Sequence, residues 1–174
     1  MNLKSIFSIS ILLAALSTSL AHAAGEHSGG HAGEPGKASD VTRVIKVLMY
    51  DNYFEPSSFQ VQSGETIKFE VENVGELVHE FNIANPKMHI QHQSEMQKMV
   101  EMEILLADSI DKNKMKKMSE KDHSLGHAHS NSLMLEPKET GEIIWKFSKD
   151  INLEMACNIP GHYESGMVGS LITY

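Results

Sequence analysis

A short segment near the C-terminus carries three side chains that commonly bind metals. Cys157, His162 and Met167 follow one another at intervals of five, so one loop offers a thiolate, an imidazole and a thioether. His79, far upstream, offers a second imidazole. Sulfur ligands suit Cu(I) and imidazole suits both oxidation states, and two histidines, one cysteine and a weak axial methionine are the set of mononuclear electron-transfer copper. The four residues therefore predict a site for one copper ion.

The cysteine is informative because of the compartment in which the chain is expected to work. Residues 1–23 read as a secretory signal, with Lys4, an apolar run and a small-x-small site, so we expect cleavage near Ala23 and Ala24 and a periplasmic location. Cys157 is the only cysteine, which excludes an intrachain disulfide. A free thiol is a liability in an oxidising compartment, and ligation of a metal explains it better than an inert core cysteine or a catalytic nucleophile does.

The net charge limits the classes of partner. The full chain has a formal charge of −8, and removal of Lys4 with the signal makes it −9. This charge disfavours nucleic acid and anionic membrane surfaces and suits a basic redox or copper-transfer protein. The apolar run of the signal is short and contains serines, so we expect no stable membrane association.

Beyond the signal, the residue pattern changes three times along the chain. Residues 24–40 are rich in Gly, His and acidic residues without apolar periodicity, which predicts a flexible tail. Residues 41–84 and 133–174 contain short alternating or β-branched stretches between turn residues, which are typical of strands. Residues 85–132 are instead rich in Met, His and helix formers. We therefore predict an all-β sandwich over 41–174 with a mainly helical, Met/His-rich insertion.

The stretch before the insertion positions the upstream histidine. His79, Phe81 and Ile83 alternate along a predicted strand and so share one face. We expect this to be the face that points into the sandwich, which would bring the imidazole toward the C-terminal loop.

Taken together, these segments resemble the cupredoxins, the family of plastocyanin and azurin. The resemblance rests on the turn residues Tyr53 and Phe54 before Pro56, on Val61-x-x-Gly64-x-x-Ile67-x-Phe69-x-Val71-x-Asn73, on His79-Glu80-Phe81 and on Cys157 to Met167. It implies a Greek-key β-sandwich with copper near one end, held by His79, Cys157 and His162 with Met167 as axial ligand. The Gly-His-Tyr-Glu-x-Gly-Met stretch and the additional Met and His residues resemble periplasmic cupredoxins linked to copper tolerance. The long insertion is a departure from plastocyanin.

The insertion permits two interpretations. Met96, Met99 and Met102 recur at every third residue and lie on one helical face, where they form either a weaker, second copper store or adaptable packing against the sandwich. We favour packing for this stripe. Weak metal capture and a solvated linker are equal alternatives for the histidines expected to be mobile: His27, His31, His123, His127 and His129.

The resulting prediction is a copper-binding protein of the periplasm that acts in copper tolerance by binding copper or cycling its oxidation state. The alternative is a one-electron carrier to a respiratory partner, which would use the same site. An enzyme is disfavoured, because a single one-electron site cannot complete a multi-electron reaction such as oxygen reduction.

Overall fold

A computed structural model of the protein describes residues 32–148 and 152–173. The predicted signal peptide and most of the predicted tail, including His27 and His31, lie outside the described residues.

The described residues form short strands with one helical region between them. The strands are β1 (Glu34–Pro35), β2 (Arg43–Met49), β3 (Phe54–Glu55), β4 (Ser58–Val61), β5 (Thr66–Asn73), β6 (His79–Ala84), β7 (Ser132–Leu135), β8 (Thr140–Lys146), β9 (Leu153–Ala156) and β10 (Val168–Thr173). The helices are α1 (Pro86–Glu101) and α2 (Lys112–Ser119), and 3-10 turns span Ala38–Asp40 and His123–Gly126. Within these ranges, neither α-helix has the length and apolar character needed to cross a membrane.

The strands assemble into two five-stranded sheets. Their orders are β1-β8-β5-β2-β3 and β4-β10-β9-β6-β7. β2 runs parallel to β5 and β4 parallel to β10, whereas the other neighbours are antiparallel. Parallel neighbours cannot be joined by a hairpin, so the chain crosses from one sheet to the other, as it does in a Greek-key sandwich. The predicted all-β sandwich with a helical insertion is confirmed.

The core lies between the inner faces of the two sheets. In β5, Ile67, Phe69 and Val71 are buried while Glu70 is exposed, as the period-two pattern predicts. The ring of Phe69 lies 5.4 Å from that of Phe81 on β6, measured between centroids. Burying each such ring contributes about 1.5–3 kcal/mol, so this contact helps to hold β6 in a defined position.

The insertion packs on the sandwich through two of its methionines. Helix α1 begins after Asn85, whose Oδ1 accepts the N–H of Met88 at 2.9 Å, and Pro86 occupies its first turn. Met96 and Met99 are fully buried in the core, as the packing interpretation predicts. Met102 follows the end of the helix and is 37% exposed, so it does not continue the buried stripe.

Helix α1 also covers the outer face of the second sheet. All six residues of β6 are buried, including Glu80 and Asn82, which alternate with the residues of the core face. His89 and His92 of α1 contact Glu154 of β9 and Glu80 of β6. The insertion therefore turns an outer sheet face into a second buried layer beside the first.

The end of the predicted tail that the structure describes packs against the first sheet. Glu34 and Pro35 pair with β8, and the indole N–H of Trp145 donates to the carbonyl oxygen of Ala32 at 3.0 Å. A buried indole N–H needs an acceptor, and the chain before residue 41 supplies it. These residues add an edge strand that the composition of the segment did not predict.

Candidate metal centre

Three of the four predicted ligands converge at one end of the sandwich. His79 begins β6, Cys157 directly follows β9 and His162 lies in the loop between β9 and β10. The sulfur of Cys157 is 3.3 Å from Nδ1 of His162 and 3.9 Å from Nδ1 of His79. The potential ligand atoms of the three residues all lie within 4.8 Å of one another. Donor atoms at such separations are compatible with one shared ion.

The pairing of two strands produces this convergence. β6 and β9 are antiparallel neighbours in which Asn82 faces Ala156, so the chain leaving β9 passes the beginning of β6. The backbone N–H of Glu80 donates to the sulfur of Cys157 at 3.3 Å. The thiol and the upstream imidazole are thus fixed to two rigid strands, which is the support a precise metal site requires.

A tight loop positions the remaining two predicted ligands. His162 N–H donates to the carbonyl of Ile159 at 2.9 Å, and Met167 N–H donates to the carbonyl of His162 at 3.0 Å. The N–H of Cys157 donates in turn to the carbonyl of Met167 at 3.1 Å. Gly161 and Gly166 have φ of 88° and 94°, which glycine adopts without strain. Met167 is fully buried, and its backbone is hydrogen-bonded to those of Cys157 and His162. Its role as axial ligand stays a prediction.

Asp51 orients the first imidazole. Nε2 of His79 is 3.0 Å from Oδ1 of Asp51, which also accepts the backbone N–H groups of Glu76 at 2.8 Å and Leu77 at 3.2 Å. Desolvation opposes ionisation of Asp51, but the bonds from His79 and the backbone hold its pKa below the usual value. With Nε2–H donated to a carboxylate, Nδ1 is left with a lone pair directed toward Cys157. A ligating histidine commonly donates its second nitrogen to such a carboxylate.

The surroundings of the thiol of Cys157 disfavour its charged form. Cys157 is fully buried, and burial raises the pKa of its thiol to about 12, although the N–H groups of Glu80 and Ile159 oppose the rise. The free side chain is therefore protonated at neutral pH. A bound metal ion supplies the compensating charge and displaces the proton.

The two imidazoles are poised as neutral ligands. Burial lowers the pKa of His79, and burial together with the neighbouring His79 lowers the pKa of His162. Neutral imidazole is the form that binds metals. Two neutral imidazole nitrogens and one thiol that loses its proton on metal binding are donors that suit copper in either oxidation state. The donor set is therefore compatible with the copper ion that the sequence predicts.

Two residues at the site were not identified from the sequence. Asp51 stands in a run of turn residues, where an aspartate is ordinary, and Glu80 follows a histidine on a strand. Neither spacing nor composition distinguishes them from surface acids. Only the approach of residues 51 and 79, and of 80 and 157, gives them a role.

Comparisons with known proteins relate most of the chain to one class. A family model described as a cupredoxin-like domain matches residues 8–108. The chain is 40% identical over 175 residues to a Pseudomonas aeruginosa protein named copper-resistant cuproprotein CopI, with 92% of each chain covered. It is 32% identical over 154 residues to a Rubrivivax gelatinosus protein of the same name, with 84% of this chain and 79% of that protein covered.

A solved structure shows the same fold at low identity. Reduced auracyanin from the photosynthetic bacterium Roseiflexus castenholzii matches with a TM-score of 0.54 and 17% identity. The match covers 76% of this chain and 97% of the other. At this identity the likeness concerns the arrangement of the strands.

Proposed function

Because the chain belongs to the cupredoxin family, we propose that it is a periplasmic copper-binding protein that acts in copper tolerance. The observation that carries the proposal is the convergence of His79, Cys157 and His162 around a buried thiol. These three residues would hold one copper ion, with Met167 as a weak axial ligand. The relatives named for copper resistance, aligned over most of the chain, support the role in tolerance.

Each side chain has a separate task in this proposal. Bound copper supplies a one-electron couple between Cu(I) and Cu(II). Cys157 contributes charge neutralisation, His79 and His162 contribute nitrogen donors acceptable to both oxidation states, and Asp51 fixes the direction of the first imidazole. Because three of these groups are attached to strands or to a hydrogen-bonded loop, the donor set needs little rearrangement when the oxidation state changes.

Tolerance is favoured over service as a respiratory carrier. The names of both relatives refer to copper resistance, and neither refers to electron transfer. Under this proposal the protein binds copper, cycles its oxidation state or passes it to a basic copper-transfer or redox protein, to which the acidic charge of the chain is complementary. The proposal includes no catalysed multi-electron reaction.

The visible spectrum tests the ligand assignment. Purified full-length protein with one equivalent of Cu(II) is expected to show an intense thiolate-to-copper band, and Cys157→Ala is expected to remove it. Glu164→Gln is a matched control, because this residue is exposed in the same loop. Survival of the band in Cys157→Ala would overturn the site.

Growth of a copper-sensitive strain tests the role. A strain without its own copper-resistance cuproprotein should regain growth at raised copper when it expresses the wild-type chain or Glu164→Gln, but not Cys157→Ala. Full protection by Cys157→Ala would contradict tolerance through this site. If a strain that lacks the protein instead loses respiration while its copper tolerance is unchanged, the electron-carrier alternative is supported.

A further inference from the structure

A second group of metal-ligating side chains lies beneath the insertion, on the outer face of the second sheet. Oε1 of Glu80 is 2.9 Å from Nε2 of His92 and 2.8 Å from Nε2 of His127. Ligand atoms of these three residues all lie within 4.8 Å of one another. His92 also belongs to a second such set with Glu95 and His129. It reaches that set through its other ring nitrogen, since Nδ1 lies 2.9 Å from Oε2 of Glu95, so the imidazole joins the two sets into one cluster.

Three separate segments supply the cluster. Glu80 comes from β6, while His92 and Glu95 are three residues apart on α1 and therefore share a helix face. His127 and His129 come from the loop before β7, where His127 adopts a left-handed conformation with φ of 47°. Convergence of five ligand-type side chains from a strand, a helix and a loop is more specific than a local run of histidines.

The carboxylate at the centre is fully buried. The side chain of Glu80 has no exposed surface, and those of His92 and His127 are 10% and 5% exposed. Desolvation opposes its ionisation, but His92 and His127 hold the pKa of Glu80 well below its usual range. Among the ion pairs of the described residues, the partners of Glu80 are these imidazoles and not a lysine or arginine. Burial opposes protonation of His92, but Glu80 and Glu95 raise its pKa to about 10. An ion that binds here therefore displaces a proton from this imidazole and takes over the compensation that the buried carboxylate needs.

One nitrogen of the cluster makes no well-formed hydrogen bond within the part of the chain that the structure describes. Nε2 of His129 is buried and makes no hydrogen bond, although it lies 3.3 Å from Oε2 of Glu95. Leaving a buried polar atom unpaired costs about 1–3 kcal/mol.

We propose that Glu80, His92 and His127 form a second metal site that binds one divalent first-row ion, with Glu95 orienting His92 through its other ring nitrogen. Its imidazole and carboxylate donors suit Cu(II) and Zn(II), and Cu(II) binds such sites more tightly than Zn(II). The cluster contains no thiolate, so Cu(II) bound here lacks the intense band expected of the Cys157 site. The proposal stands whether or not the first site is assigned correctly.

Glu80 also contacts the first site and is therefore unsuitable for testing the second one. Its backbone N–H donates to the sulfur of Cys157, and its Oε2 accepts from the N–H and Nδ2 of Asn158 at 3.1 and 2.7 Å. A change at residue 80 would disturb both sites. Within the described residues, the polar contacts of His127 and Glu95 lie inside the cluster, so these two residues are the better choices.

The test measures metal binding by the full-length chain with the first site removed. In a Cys157→Ala background, equilibrium dialysis and calorimetry with Cu(II) alone and Zn(II) alone should each show about one tightly bound ion. His127→Gln should weaken that binding by more than about 100-fold because it removes a ligand. Glu95→Gln should weaken it by about 10–100-fold because it removes the partner that orients His92. His123→Gln is the matched control, because this histidine is exposed in the same part of the insertion and lies outside the cluster.

Two results would overturn the second site. One is unchanged affinity in both His127→Gln and Glu95→Gln, and the other is an equal loss in His123→Gln, which would indicate unspecific binding by histidines. Glu95 is partly exposed, so its variant is expected to fold even if His127→Gln does not, and circular dichroism establishes this. With Cys157 intact, both variants should retain the visible band, so failure here is distinguishable from failure of the copper centre.

Discussion

Asp51 offers a demanding test of how the copper centre is built. A single oxygen, Oδ1, accepts from Nε2 of His79 and from the N–H groups of Glu76 and Leu77. Asp51→Asn keeps an oxygen acceptor at this position and removes the charge. Asp51→Ala removes all three bonds and releases both the imidazole and the backbone that leads into β6. The two substitutions therefore separate the contribution of charge from that of orientation.

The expected magnitudes follow from the geometry. Loss of a partner that orients a ligating histidine lowers metal affinity by about 10–100-fold, which corresponds to about 1.4–2.8 kcal/mol. The side chain of Asp51 is 39% exposed, so water screens its charge. The loss of metal affinity in Asp51→Asn should therefore be about tenfold. Asp51→Ala should lie near the 100-fold end. It should also destabilise the metal-free protein by about 2–4 kcal/mol, as the loss of three hydrogen bonds implies.

Competition with a chromophoric copper chelator measures the affinities, and denaturant unfolding of metal-free protein measures the stabilities. Asp108→Asn is the matched control, since Asp108 is an exposed aspartate that contacts only its neighbour Ser109. Wild-type copper affinity in Asp51→Ala would refute the idea that this carboxylate orients His79. Equal losses in Asp51→Asn and Asp51→Ala would show that charge, and not orientation, is what the residue contributes.

Two further predictions concern an axial ligand and a buried base. Met167→Leu should keep the visible band and shift the reduction potential, which spectroscopy and voltammetry measure, whereas loss of all copper binding would contradict a weak axial role. Nδ1 of His89 lies 3.1 Å from Oδ1 of Asn158, and burial lowers the pKa of this histidine. Its contribution to stability is therefore complete above about pH 6.5, the pKa in the unfolded chain, and is lost as the pH falls toward the lowered pKa of the folded protein. The free energy of unfolding of metal-free protein should therefore decrease less between pH 7 and 5 in His89→Gln than in wild type, and equal slopes would contradict this assignment.

Much of the first site could be predicted because its information is local. Cys157, His162 and Met167 occupy one loop, and their side-chain chemistry alone indicates a soft or borderline metal. The alternation along β5 and β6 predicted strands and their inward faces, since side chains of a strand point to opposite sides in turn. His79 was included because it lies on such a face and because the segments around it resemble those of cupredoxins.

The second cluster could not be predicted in the same way. His127 and His129 belong to a polar stretch whose composition fits a solvated linker as well as a metal site. Period-two alternation assigns Glu80 to the face opposite His79, but it does not say what covers that face. Helix α1 buries the carboxylate and places His92 against it, and this depends on how the insertion packs.

The sequence by itself determined the all-β framework and predicted the candidate donor atoms of the first site, because strand periodicity and ligand chemistry are properties of short segments. Only the tertiary structure decided which acids serve the two sites. Asp51 meets His79 across 28 positions of chain, and Glu80 meets His127 across 47. Such pairings arise from packing of distant elements, and the energetic consequence of a carboxylate depends on the burial and partners that this packing imposes.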